Sequence, residues 1–135
     1  MSWTCPKCRR SFARTRQSHS CKRATIDGHF AGKNPALRDV FDLLTKKLSK
    51  AGPLRVDSVK TAIHLISGRA FGGVTVARES MRLGFLSERP ITSPRIAKRL
   101  ALAPDRIEHV VVINTVSDVD RELVGWLTAS QRFRA

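Results

Sequence analysis

The chain has 135 residues, 41% of them hydrophobic, and a formal net charge of +14. That is enough apolar material for one packed domain with a small appendage, which excludes a wholly disordered chain. No apolar run approaches the ~20 residues of a membrane span, and the N-terminus has no apolar signal-peptide core, so a cytoplasmic protein without a membrane partner is expected.

The charge is uneven. Residues 1–33 carry eight Lys/Arg against one acid, Asp27, for a net +7; the remaining 102 residues carry seventeen against ten, again +7. A quarter of the chain therefore holds half the excess. This points to an anionic partner for the N-terminal part, with nucleic acid, DNA or RNA, the leading candidate.

That part reads WTCPKCRRSFARTRQSHSC from Trp3 to Cys21 and contains all three cysteines. An odd number of clustered cysteines in a reducing compartment reads as metal ligation. Cys5, Cys8, His19 and Cys21 make a four-ligand set of the kind that holds one Zn²⁺ tetrahedrally. No ligand position is left open, so the expected role is structural. His19 and Cys21 are two apart, about 200° around a regular helix, so a helix before them must stop by His19. A module of residues 1–22 cannot fold on apolar burial alone and would need the metal, with Phe12 and Trp3 covering it. Lys7, Arg9, Arg10, Arg14 and Arg16 surround the site and suit phosphate contact. Base readout would need exposed rings or a defined recognition helix, and the two aromatics present are needed inside. Any nucleic-acid binding is therefore expected to tolerate sequence. A solvated basic face, or a knuckle docking an acidic protein as an adaptor, remains open.

Residues 23–33, RATIDGHFAGK, read as a linker. From Asn34 to Ala135 the chain reads as one α+β domain, a mainly antiparallel sheet flanked by an N-terminal and a C-terminal helix. In the first helix Asn34 caps, Pro35 takes the first helical position, and Leu37, Val40, Phe41, Leu44 and Leu48 form one apolar stripe. Gly52-Pro53 ends it. TAIHLIS (61–67), AFGGVTVAR (70–78) and MRLGFLS (81–87) read as a three-stranded meander, with Gly72-Gly73 marking a bulge or a close backbone approach. Residues 89–106 carry three prolines and read as a long connection with a short helix from Ser93-Pro94. IEHVVVI (107–113) is a further strand, apolar enough to be central. A last helix is capped by Ser117, with Asp120 three residues on and Val119, Leu123, Trp126 and Leu127 as its buried stripe.

On the strands, alternation sets His64, Arg78 and Arg82 apart from their apolar neighbours. Were these faces to coincide, the three would line an anion pocket on the sheet, giving a second functional class: binding, or conversion, of a small anionic molecule. No catalytic constellation appears: there is no P-loop, no GxGxxG, no GxSxG and no second metal set.

Two resemblances follow from these residues. Trp3, Cys5-Pro6, Cys8, Arg10, Phe12, Gln17 and His19-Ser20-Cys21 resemble an N-terminal zinc-knuckle segment of bacterial proteins. The remainder resembles the bacterial domain of unknown function 5655, through Gly52-Pro53, Thr61, Ile63, Phe71, the strand around Leu83, His109-Val110, Asp118-Val119-Asp120, Leu123, Trp126 and Leu127. Arg9 stands where the knuckle pattern usually has Gly. A left-handed backbone there would cost about 1 kcal/mol, small against the ~10 kcal/mol of a structural zinc. The resemblance implies a fold and no activity.

Overall fold

The computed structural model describes residues 3–6, 11–12 and 25–135. Two short strands, β1 (Trp3–Thr4) and β2 (Ser11–Phe12), pair antiparallel, Trp3 opposite Phe12 and Thr4 opposite Ser11.

The domain begins earlier than the sequence suggests. Residues expected to be linker form α1 (Ile26–Phe30), whose Thr25 hydroxyl accepts from the Gly28 amide. One turn of helix carries no readable periodicity; its reason is tertiary. Phe30 is buried against Phe41, and Arg38 ties Asp27 to Asp42. Helix α2 (Ala36–Ala51) buries the expected stripe of Leu37, Val40, Phe41, Leu44 and Leu48. The Asn34 carboxamide oxygen accepts from the Ala36 amide at its start. Gly52 closes its end by donating to the Leu48 carbonyl.

Six antiparallel strands follow: β3 (Arg55–Ser58), β4 (Ile63–Ile66), β5 (Ala70–Val76), β6 (Met81–Ser87), β7 (Ile96–Ala103) and β8 (Arg106–Ile113). Their order across the sheet is β3-β4-β5-β6-β8-β7. The meander is therefore present, and β8 is internal, one strand from the edge. The pairing of β4 with β5 shifts next to Gly72, where Phe71 is the extra residue. Strand β7 replaces the long connection and short helix expected over 89–106. Pro90, Pro94 and Pro104 bracket it rather than interrupt it, and as an edge strand it is exposed along most of its length, with Lys98 and Arg99 in its middle.

The chain then makes a 3₁₀ turn (Val116–Asp118) and helix α3 (Arg121–Phe133). The cap is Asp120, whose carboxylate accepts from the Leu123 amide, and not Ser117. Asp118 serves the turn, accepting from the Asn114 and Thr115 amides. Arg95 then grips the assembly, reaching both oxygens of Asp120, the Glu122 carboxylate and the Asp118 carbonyl.

Helix α3 lies across β5 and β6, and α2 packs on α3. Both helices cover one face of the sheet. That face supplies Ile63, Leu65, Phe71, Met81, Leu83, Phe85, Val111 and Ile113, none more than 1% exposed. Trp126 is half-buried at the rim of this core. The buried Gln131 amide closes the helix layer by donating to the Leu48 and Pro53 carbonyls. No helix among the described residues is long and apolar enough to cross a membrane.

Candidate functional site

Among the described residues no helix covers the second face of the sheet. One row of opposed residues crosses it: Asp57, His64, Gly73, Gly84, Val110 and Lys98, one from each strand. Since side chains alternate along a strand, residues at even spacing join them on this face, among them Thr75, Arg82, Leu86 and Glu108. All of these except Asp57 line an open groove of about 440 Å³.

The groove exists because its floor is glycine. A methyl group on Gly73 would meet nothing closer than the Ile63 carbonyl oxygen at 3.7 Å, and one on Gly84 nothing closer than 3.9 Å. Both positions have room for a side chain, so close packing does not require glycine there. Gly72 differs: its methyl would sit 2.7 Å from the Gly84 carbonyl oxygen. Of the adjacent pair, Gly72 marks the close backbone approach and Gly73 leaves the empty space.

His64 and Arg82 both line the groove. Arg78 does not. It is exposed in the turn after β5, where its carbonyl accepts from the Asn34 amide at the start of α2. Lys98 and Glu108 are further groove residues: Lys98 lies in the stretch expected to be a connection, and Glu108 in the expected strand 107–113, where the sequence alone does not pair it with the groove. The signal was present in the alternation of Lys98, Leu100 and Leu102. Chemically the groove offers a guanidinium, an ammonium and an imidazole against the Glu108 carboxylate, over an apolar and glycine floor.

His109 lies on the opposite, covered face and is 0% exposed. Its Nε2 accepts from the Ile91 amide at 2.9 Å, which leaves the proton on Nδ1. Burial holds its pKa below the ordinary histidine range; the Arg99 charge adds to this and the Ile107 carbonyl opposes it. Phe85 stacks on the imidazole at 5.2 Å and on Trp126 at 6.0 Å. A neutral histidine inside a ring column is a packing element, and the Asp118 and Asp120 carboxylates are capping groups, engaged by backbone amides and Arg95.

In the N-terminal segment Cys5 is 3% exposed. The stretch between the paired strands β1 and β2 holds Cys5 and Cys8 in sequence. Cys8, His19 and Cys21, together with Lys7, Arg9, Arg10, Arg14 and Arg16, lie outside the described residues. Among the described residues no group of three or more His, Cys, Asp or Glu could hold a metal ion.

These features define an α+β protein built on a six-stranded antiparallel sheet, covered by helices on one face and grooved on the other. Residues 26–133 match the family model described as Domain of unknown function (DUF5655), and the chain belongs to that family. No curated protein and no solved structure matches the chain.

Proposed function

We propose that this is a zinc-clipped basic protein that binds nucleic acid through its phosphates, weakly and without strong sequence preference. Cys5, Cys8, His19 and Cys21 would hold the zinc, and Lys7, Arg9, Arg10, Arg14 and Arg16 would meet the phosphates. The antiparallel pairing of β1 with β2 supports the clip, because Cys5, which directly follows β1, is buried there. The observation that carries the reading is the unpaired charge. Among the described residues, only Arg38 and Arg95 form ion pairs with carboxylates. These pairs take up Asp27, Asp42, Asp120 and Glu122, and the other described Lys and Arg side chains have no carboxylate partner, in a chain whose formal surplus is +14.

Metal content and a salt titration test this together. One zinc per chain is expected. Affinity for a random duplex should fall with a log–log salt slope of about −4, the value for some five phosphate contacts. Reversing Arg10→Glu and Arg14→Glu should reduce that slope by about 2. Tight binding that ignores both salt and the reversals would remove the proposal.

A second reading rests on the groove, where His64 and Arg82 share a glycine floor that packing does not demand. It is the binding of a small anionic molecule on the open sheet face. Phosphorylated or carboxylated metabolites should raise the melting temperature of the full chain, and Arg82→Gln should cancel the rise. A flat response across such a panel would eliminate this reading.

A further inference from the structure

Three guanidinium groups gather at one end of the sheet, outside the zinc segment and outside the groove lining. Arg69 lies in the turn between β4 and β5, Arg106 opens β8, and Arg134 follows α3. Strands β5 and β8 both run antiparallel to β6, so they run the same way. Gly72, Phe85 and His109 share one row across them. Three residues upstream of that row, Arg69 and Arg106 therefore sit at the same end.

Backbone contacts bring Arg134 to them. The Arg69 amide donates to the Arg134 carbonyl at 2.8 Å, and the Ser67 hydroxyl donates to the Gln131 carbonyl at 2.8 Å. The Arg134 Nε donates to the Ala70 carbonyl at 3.3 Å. Gly68 is covered so closely that a methyl there would lie 2.5 Å from the Ala135 backbone. The fold thus imposes a concentration of like charge that the side chains would not choose. Its cost is visible at Arg134, whose guanidinium is held below its ordinary range, first by burial and then by the charges of Arg69 and Arg106. None of the three arginines forms an ion pair among the described residues, although Asp105 precedes Arg106 and Glu88 follows the β6 residue paired with Ile107. The Arg106 Nε is buried without a hydrogen-bond partner.

We propose that Arg69, Arg106 and Arg134 form a phosphate-binding site. Guanidinium forks match phosphate oxygens in pairs, and a dianion relieves three converging positive charges better than a monocarboxylate can. The phosphate is either a terminal phosphomonoester or a diester of a nucleic-acid strand. The site is built entirely from the DUF5655 domain and does not depend on the zinc segment.

The test uses the full chain at low ionic strength. Inorganic phosphate should raise the melting temperature by several degrees beyond chloride of equal ionic strength. Arg69→Gln, in an exposed turn, should lose most of that rise. Without phosphate it should melt no lower than the parent, because it removes a repulsion. Arg106→Gln should behave likewise; were it to melt much lower, Arg69→Gln alone decides. Lys46→Gln with Lys47→Gln, on α2, removes charge elsewhere and should keep the full response. Single-stranded oligonucleotides with and without a 5′-phosphate identify the source. A preference of about tenfold for the phosphorylated strand marks the monoester, and equal binding that Arg69→Gln weakens marks the diester. A response no larger than that to chloride, or one undiminished in Arg69→Gln, overturns the proposal.

Discussion

Phe85→Ala is expected to destabilise the protein by about 3–5 kcal/mol, the range for removing a fully buried ring. Phe85 is 1% exposed and is the middle ring between His109 and Trp126. Its loss opens a cavity that neither neighbour can fill without leaving its own partner, the Ile91 amide for His109 and the face of Arg95 for Trp126. Denaturant unfolding should show a lower midpoint with an unchanged slope. A loss below about 1 kcal/mol would mean that the column repacks freely. The variant should also change the response to acid. Because His109 has a lowered pKa when folded, the unfolded chain takes up the proton first, and stability falls as pH drops below about 6.5. With Phe85 gone, His109 is better hydrated, its pKa moves back up, and this part of the acid sensitivity shrinks.

The second large effect separates two neighbours in the chain. Gly72→Ala should cost about 1–3 kcal/mol, since its methyl meets a backbone oxygen of a paired strand, which cannot rotate away. Gly73→Ala should be neutral or stabilising by about 0.5–1 kcal/mol, because it restricts the unfolded chain and meets only ordinary contacts. Paired thermal or denaturant melts would check both. Equal losses at the two positions would contradict the assignment of Gly72 to packing and Gly73 to the groove. Since Gly73→Ala leaves the fold intact while placing a methyl on the groove floor, it also tests ligand binding there without a loss of stability.

How far the residues alone disclosed this arrangement depended on the range of the physics. Helix α2 was readable to within a residue or two because its stripe, cap and stop are local and agree. Strands β4, β5, β6 and β8 were readable because each alternates against a buried face. Strand β7 was not, since an edge strand is paired on one side and tolerates Lys98 and Arg99 in the middle. Helix α1 was hidden because only Phe30 meeting Phe41 makes five residues helical. The Ser117 cap failed for a related reason: Asp118 is taken by the turn before it, so the helix starts later, at Asp120. Of the groove, His64 and Arg82 were legible from alternation. The alternation of Lys98, Leu100 and Leu102 is local, but that Lys98 and Glu108 join His64 and Arg82 depends on strand order. The gathering of Arg69, Arg106 and Arg134 is likewise a product of topology, drawn from positions 65 residues apart.

The outer position of β7 has a consequence for how the protein behaves in bulk. Its outer edge, unpaired among the described residues, carries Leu100 and Leu102, each 49% exposed, beside Lys98 and Arg99. Such an edge invites pairing with the edge of another molecule, and the repulsion between two chains of +14 opposes it. That repulsion reaches about 10 Å at 0.1 M salt and only about 3 Å at 1 M. On the proposed reading salt would act on this molecule twice, releasing the nucleic acid and bringing the chains closer to one another. Scattering measured alongside a salt titration separates the two, because self-association grows with protein concentration and release does not.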